Sequence, residues 1–264
     1  MCHLARIRVQ SLPALISIIS TLRYNLAMLP YDFAYRLKKI KERMVAAATR
    51  AGRDAGDITL VAVTKNRPPQ LVQAAYEAGL RDFGENRVAE MRSKQDVLTL
   101  PGARWHCIGH IQRRKVRQLI GHSDLVHSID RLSLAEELSK RAAAAKMEIH
   151  GLLQVNSSGE ENKGGWHVHA PVAQEAFLRD VEQILALPNL HVHGLMTMAP
   201  FYDKAEETRS TFATTYGMLQ MLIERFPVHS FNILSMGMTN DFEVAIEEGA
   251  THVRLGTALF GPRN

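Results

Sequence analysis

The sequence predicts a single (β/α)8 barrel. Short apolar strand-like segments alternate with amphipathic helix-like segments, there are eight of the former, and no G-x-G-x-x-G follows the first of them. Strict alternation argues for a parallel sheet. Eight units in roughly 230 residues suit a closed barrel better than an open, doubly wound sheet. The missing glycine fingerprint argues against a dinucleotide-binding fold.

The elements follow in order. A leading helix fits Asp32 to Ala51, closed by Gly52, and Thr59–Val63 is the first strand. Pro68-Pro69 opens a helix with Leu71, Val72, Ala75 and Tyr76 on one stripe, and Gly79 stops it. Asp82-Phe83-Gly84 is a strand end, and Arg87 to Val97 a helix. Trp105–Ile108 and Leu125–His127 are strands around a helix from Gln112 to Ile120. Ser133 and Glu136 read as a capping box for a helix running to Lys146. Strands Ile149–Val155 and His191–Met196 flank a helix from Val172 to Ala186. A long helix from Glu206 to Phe226 places Phe212, Tyr216, Leu219 and Ile223 on one face. Phe231–Leu234 and Val253–Leu255 are the last strands, and Asn240 and Glu243 read as the cap of the helix between them.

Composition bounds the function. The 264 residues are 46% hydrophobic and 22% charged, ordinary for a soluble globular chain. A net charge of +5 and a pI near 9.3 fit a solvated surface better than a nucleic-acid site. The basic run Arg113-Arg114-Lys115-Val116-Arg117 lacks interleaved aromatics and reads as a helix start. Cys2 and Cys107 form no disulfide framework, so a cytoplasmic setting is expected. Residues 1–27 are expected to be an N-terminal extension, with Met28 the natural start and the domain spanning 28–264. The extension carries Arg6, Arg8 and Arg23 without acids, as a transit peptide does, and its apolar run Leu12 to Leu22 is too short to span a membrane.

Chemistry concentrates at the strand ends. Alternation puts Val61, Val63 and Lys65 on one face. If that face lines the barrel, Lys65 emerges at the C-terminal mouth, where apolar surroundings favour an unprotonated, nucleophilic amine. Ser235-Met236-Gly237 after the seventh strand and Gly256-Thr257 after the eighth offer N–H groups and hydroxyls where barrels commonly hold phosphate. Arg254 shares a face with His252 and Gly256 and points to the mouth. A lysine nucleophile facing a phosphate cradle suggests a phosphorylated carbonyl compound. Pyridoxal 5′-phosphate (PLP) is the obvious one. Asn86 ends the second strand as a ligand group or a helix cap, and Met196 ends the sixth as a ring contact or core residue. His106 and His110 are acid/base candidates or packed and solvated side chains. His191/His193 and His167/His169 lack a third ligand at motif spacing, so no metal is expected.

These segments resemble one family. Leu60-Val61-Ala62-Val63-Thr64-Lys65, Phe83-Gly84-Glu85-Asn86, Trp105-His106-Cys107-Ile108-Gly109-His110-Ile111-Gln112, His127-Ser128-Ile129-Asp130, Gln154 to Glu160, Gly194 to Met198, Leu234 to Met238 and Arg254 to Thr257 are similar, in that order, to the YggS/PROSC family of pyridoxal phosphate homeostasis proteins. Departures are Thr239, where many members have serine, and the Lys163–His169 loop. The resemblance implies a fold-type III TIM barrel like the N-terminal domain of alanine racemase. It implies that Lys65 holds PLP as a Schiff base, that Ser235, Gly256 and Thr257 hold its phosphate, that Arg254 lies near the pyridine nitrogen or phosphate, and that Asn86 and Met196 line the pocket. It implies a monomeric carrier that handles PLP for PLP-dependent apoenzymes without efficient turnover. The chain stops after the eighth strand, so no second domain is expected to supply an opposing base. The alternative is a PLP-dependent amino-acid racemase with His110 as second base.

Overall fold

The computed structural model describes residues 30–262, and the expectations for residues 1–27 lie outside the described residues. After helix α1 (Pro30–Arg50), the strands are β1 (Thr59–Val63), β2 (Asp82–Glu85), β3 (Arg104–Cys107), β4 (Leu125–Ile129), β5 (Ile149–Asn156), the two-residue β6 (Trp166–His167), β7 (Leu190–Met196), β8 (Ile233–Ser235) and β9 (His252–Leu255). Every strand pairing is parallel. Strands β1 and β9 are neighbours, and pairing of β4 with β5 closes the sheet into an eight-stranded barrel, with β6 appended to β5. The intervening helices are α2 (Pro69–Glu77), α3 (Val88–Val97), α4 (Val116–Leu119), α5 (Leu132–Ala145), α6 (Pro171–Leu185), α7 (Arg209–Arg225), α8 (Phe242–Glu247) and α9 (Thr257–Phe260).

The main core lies between strands and helices. Leu60, Ala62, Phe83, Val126 and Val253 point outward and pack against Val72, Met91, Leu134, Leu138 and Phe242. The other strand face turns into the barrel, where Leu125, Leu152 and Met196 form a separate apolar cluster. The lumen also carries polar side chains, and they define the site.

Three local expectations are corrected. Helix α5 starts at Leu132 behind Arg131, with no side-chain cap, so Ser133 and Glu136 form no capping box. Helix α8 starts behind Asp241 rather than Asn240. There the Asp241 carboxylate accepts the Met238 N–H at 2.6 Å, and Glu243 turns to Arg43 at 2.8 Å. On α7, Phe212 and Leu219 of the expected face are buried, with Thr215, Met218 and Leu222, while Tyr216 and Ile223 are exposed. At α8 a tertiary partner, Arg43, takes the side chain that the local pattern assigned to the cap.

Candidate functional site

The C-terminal ends of the strands open onto a cavity of about 750 Å³, lined by Lys65, Asn86, Arg254, Gly256 and Thr257 among others. Alternation along β1 puts Val63 and Lys65 on its wall. A buried charged network holds the turn that carries Lys65. The Lys94 ammonium, 4% exposed, donates to the Thr64 carbonyl at 2.7 Å, to Glu85 at 2.5 Å and to Glu90 at 2.8 Å. The Thr64 hydroxyl donates to Glu85 at 2.6 Å, and the Asn66 N–H to Glu90 at 2.5 Å. Both neighbours of Lys65 are therefore tied down, with Asn66 in the left-handed region at φ 57°. Burial pushes the Glu85 carboxyl above its ordinary range, against the opposing pull of Lys94.

Two loops form the opposite wall. Gly237, at φ +91°, makes a turn that a side chain would block, since a Cβ there would lie 2.6 Å from the Ala245 Cβ. The loop continues through Met238, Thr239, Asn240 and Asp241, all on the cavity. The Thr239 hydroxyl accepts the Ala258 N–H at 3.3 Å and so joins this loop to the one after β9. Thr257 opens α9, where the first N–H groups have no intrahelical acceptor. Gly109 lets the loop after β3 close on the second strand's end: a Cβ there would lie 2.4 Å from the Asn86 carbonyl.

Five of the expected site residues thus meet at one cavity, and two do not. Met196 is buried with Leu125 and Leu152 inside the barrel, and Met198 takes a place on the cavity wall instead. Ser235 is fully buried: its Oγ accepts from Arg254 Nη1 at 2.6 Å and lies 2.9 Å from His127 Nδ1. Alternation fixes which face of a strand a side chain takes but not its height along the barrel, and both residues sit below the mouth. His106 is buried and bonded to His127 and Asp82, away from the cavity. His110 lies on the cavity, exposed, with Nδ1 2.8 Å from the Asp130 carboxylate. Burial pushes the Cys107 thiol up to about 12, which keeps it protonated at neutral pH.

Beneath the cavity lies a polar chain that sequence reading missed. Arg254 also donates to the Thr197 carbonyl at 2.8 Å. From Ser235 the chain passes to His127, to His106 Nδ1 at 2.9 Å, and from His106 Nε2 to Asp82 at 3.0 Å. The available signal was a histidine two residues beyond Leu125 on the inward face of an apolar strand. Burial lowers Arg254 to about 10, so it stays charged at neutral pH. Burial pulls the Asp82 carboxyl up, but hydrogen bonds from His106 and Arg104 outweigh it and leave the carboxyl at about 2. Burial holds His127 well below its ordinary value and His252 at about 4.

These histidines are expected to make the fold acid-labile. Between pH 6.5 and 4 the unfolded chain protonates at His252 and the folded one does not. Stability is therefore full above pH 6.5 and falls as pH drops through that window. By pH 5, His252 alone costs about 2 kcal/mol, or about 4–8 °C in Tm. Calorimetry from pH 7.5 to 5 should show the fall, and His252→Gln should flatten it. An equal slope in the variant would refute this assignment.

Among the described residues no helix is long and apolar enough to cross a membrane, and no three His, Cys, Asp or Glu side chains form a metal-ligand set. Residues 36–264 match the family described as alanine racemase, N-terminal domain. The pyridoxal phosphate homeostasis protein of Aquifex aeolicus is 42% identical over 86% of this chain and 97% of its own length. That of Pseudomonas aeruginosa is 41% identical over 88% of this chain and 96% of its own. The structure of PipY from Synechococcus elongatus with PLP bound superposes with a TM-score of 0.75 at 35% identity, covering 87% of this chain and all of PipY. Alanine racemase of Clostridium difficile shares the fold, with a TM-score of 0.63 at 15% identity over 84% of this chain and 59% of the racemase. The eight-stranded barrel, the lysine at the end of its first strand and relatives of this identity and coverage place the chain in the pyridoxal phosphate homeostasis protein family, within the alanine racemase N-terminal-domain family.

Proposed function

We propose that the chain binds pyridoxal 5′-phosphate in this cavity through Lys65 and keeps it for apoenzymes that need it. The observation that carries this reading is the meeting of Lys65, Arg254 and the Thr239 and Thr257 loops at one cavity. The donor set fits the group. A cavity of about 750 Å³ lies within the range of roughly 300–1,000 Å³ usual for small-molecule sites. It offers an amine for a carbonyl, hydroxyls and N–H groups for a phosphate, and a guanidinium for a ring nitrogen or an anion. Bound there, PLP supplies an aldehyde carbon open to amine attack and a phosphate.

The chain's own residues then divide the work. Lys65 is the covalent anchor, held by the Lys94 network on both sides of its backbone. Gly256 lets the backbone come close, and Thr257 and Thr239 supply hydroxyls near the first turn of α9. Ser235 acts through Arg254, whose Nη1 it accepts. Asn86 and Met198 line the remaining wall. The relatives are named for homeostasis rather than for a reaction, which favours a carrier over a racemase.

Titration of PLP into purified protein, followed by absorbance, tests this reading. Binding should saturate at one equivalent per chain. Thr257→Val should weaken it roughly 10- to 150-fold, the effect of one lost charge-assisted hydrogen bond of about 1.5–3 kcal/mol. No saturable change in the wild type would end the proposal, and unchanged affinity in Thr257→Val would move the phosphate elsewhere.

A further inference from the structure

We infer that Asp82, at the far end of the barrel from the cavity, is a positioning residue for Arg254 and acts through a one-way chain of hydrogen bonds. The argument is one of donor and acceptor satisfaction. A guanidinium has donors only, so Arg254 Nη1 donates to Ser235 Oγ. A carboxylate accepts only, so His106 Nε2–H donates to Asp82 Oδ1. The two histidines between them leave three arrangements.

In the first, both histidines are neutral and protonated on Nε2. His127 Nε2–H donates to His106 Nδ1, and the Ser235 hydroxyl donates to His127 Nδ1. Every donor then has an acceptor. In the second, a doubly protonated His106 donates to His127 Nε2, and His127 Nδ1–H donates to Ser235. Ser235 Oγ would then accept twice, and its own proton would be stranded in a fully buried site with no other partner. In the third, a doubly protonated His127 would donate to both His106 Nδ1 and Ser235, stranding the same hydroxyl proton, and burial disfavours that charge on His127. An unsatisfied buried donor is expensive, so the first arrangement prevails.

The direction has a consequence. Ser235 presents a lone pair squarely to Arg254 because its proton is drawn to His127, and His127 is held in that tautomer because His106 faces Asp82. Arg254 is thereby fixed at two points, Ser235 and the Thr197 carbonyl, with its other N–H groups left for the occupant of the cavity. Asp82 begins β2, whereas the cavity lies at the strands' other ends. Its second partner is Arg104, a largely exposed side chain that donates to both carboxylate oxygens. The site thus extends through the barrel from end to end. The identity of the occupant rests on the PLP reading, but the chain of tautomers does not.

Two measurements separate those claims. In apo-protein labelled with ¹⁵N-histidine, NMR should show His106 and His127 neutral and protonated on Nε2. In Asp82→Ala, the tautomer of His127, two bonds removed from the substitution, should become mixed. With PLP as probe, Asp82→Ala should lose affinity about tenfold, the effect of one weakened hydrogen bond. His106→Phe, which breaks the chain one step later, should lose as much and serves if Asp82→Ala fails to fold. Asp82→Asn, which keeps an acceptor facing His106, should restore most of the affinity. Arg104→Ala should leave it within about twofold. Protonation of His127 on Nδ1 in the wild-type apo-protein would overturn the chain. So would full affinity in folded Asp82→Ala or His106→Phe. A wild type with the expected tautomers but no PLP binding would instead overturn the functional proposal and leave the chain standing.

Discussion

Replacing Lys65 by alanine is expected to abolish the covalent link to PLP and leave only weak, reversible binding. Borohydride reduction of PLP-loaded wild type should fix a pyridoxyl group on the peptide bearing Lys65, and the same treatment of Lys65→Ala should fix none. Arg254 and the Thr239 and Thr257 loops remain in the variant, so the phosphate and ring still have partners. Affinity should fall by at least about 100-fold, a loss of about 3 kcal/mol. Lys65→Arg is the sharper variant. It keeps the charge and much of the length but has no amine that can deprotonate near neutral pH, so the label should vanish there too. Lys163 is the strongest rival: its Nζ donates to the carbonyl of Met198, a cavity residue, at 3.1 Å. A label that persists in Lys65→Ala and maps to Lys163 would move the attachment point to that loop.

Why Lys65 was legible and its supports were not has a physical explanation. A strand alternates with period two, so Val61, Val63 and Lys65 had to share a face, and a parallel barrel puts strand C-termini at its mouth. Lys65, Arg254 and Gly256 could be placed by that geometry, and Thr257 by its place in the turn after the last strand. Ser235 and Met196 point into the barrel yet sit deeper than the cavity, Met196 as the core residue that was one of its two readings. Height depends on how neighbouring strands are staggered, as where Met196 stands level with Ser235 and Ser235 with His252. Stagger is set by the closed sheet, not by any single segment. The chain from Asp82 to Arg254 was hidden for the same reason, because it draws Asp82, His106, His127, Ser235 and Arg254 from five strands. The capping boxes failed because a cap is worth only about 1 kcal/mol. Glu243, expected in the second cap, pairs with Arg43 instead.

Substituting Lys94 by methionine should be the most destabilising single change at the site. Lys94 and Glu85 are both nearly inaccessible, so removing the cation leaves a buried carboxylate without its main partner. Breaking a buried pair from one side costs about 3–5 kcal/mol, and Tm should fall by about 6–20 °C. Glu85→Gln should cost less, because an amide oxygen still accepts from Thr64 and Lys94, and the Lys94 ammonium keeps the Glu90 carboxylate as its counter-ion. Burial already pushes the Glu85 carboxyl above its ordinary range, so that carboxylate is the costly member of the pair. The double variant Glu85→Gln with Lys94→Met should therefore be more stable than Lys94→Met alone, a non-additivity expected of residues in contact. PLP binding provides an independent readout. Lys94 holds the Thr64 carbonyl, and Glu90, which Lys94 orients, holds the Asn66 N–H. The turn bearing Lys65 should loosen in Lys94→Met, and affinity should drop even at temperatures where the variant stays folded. A Tm within about 2 °C of wild type, or a double variant less stable than Lys94→Met, would show that Glu85 finds another partner and that the network does not set the position of Lys65.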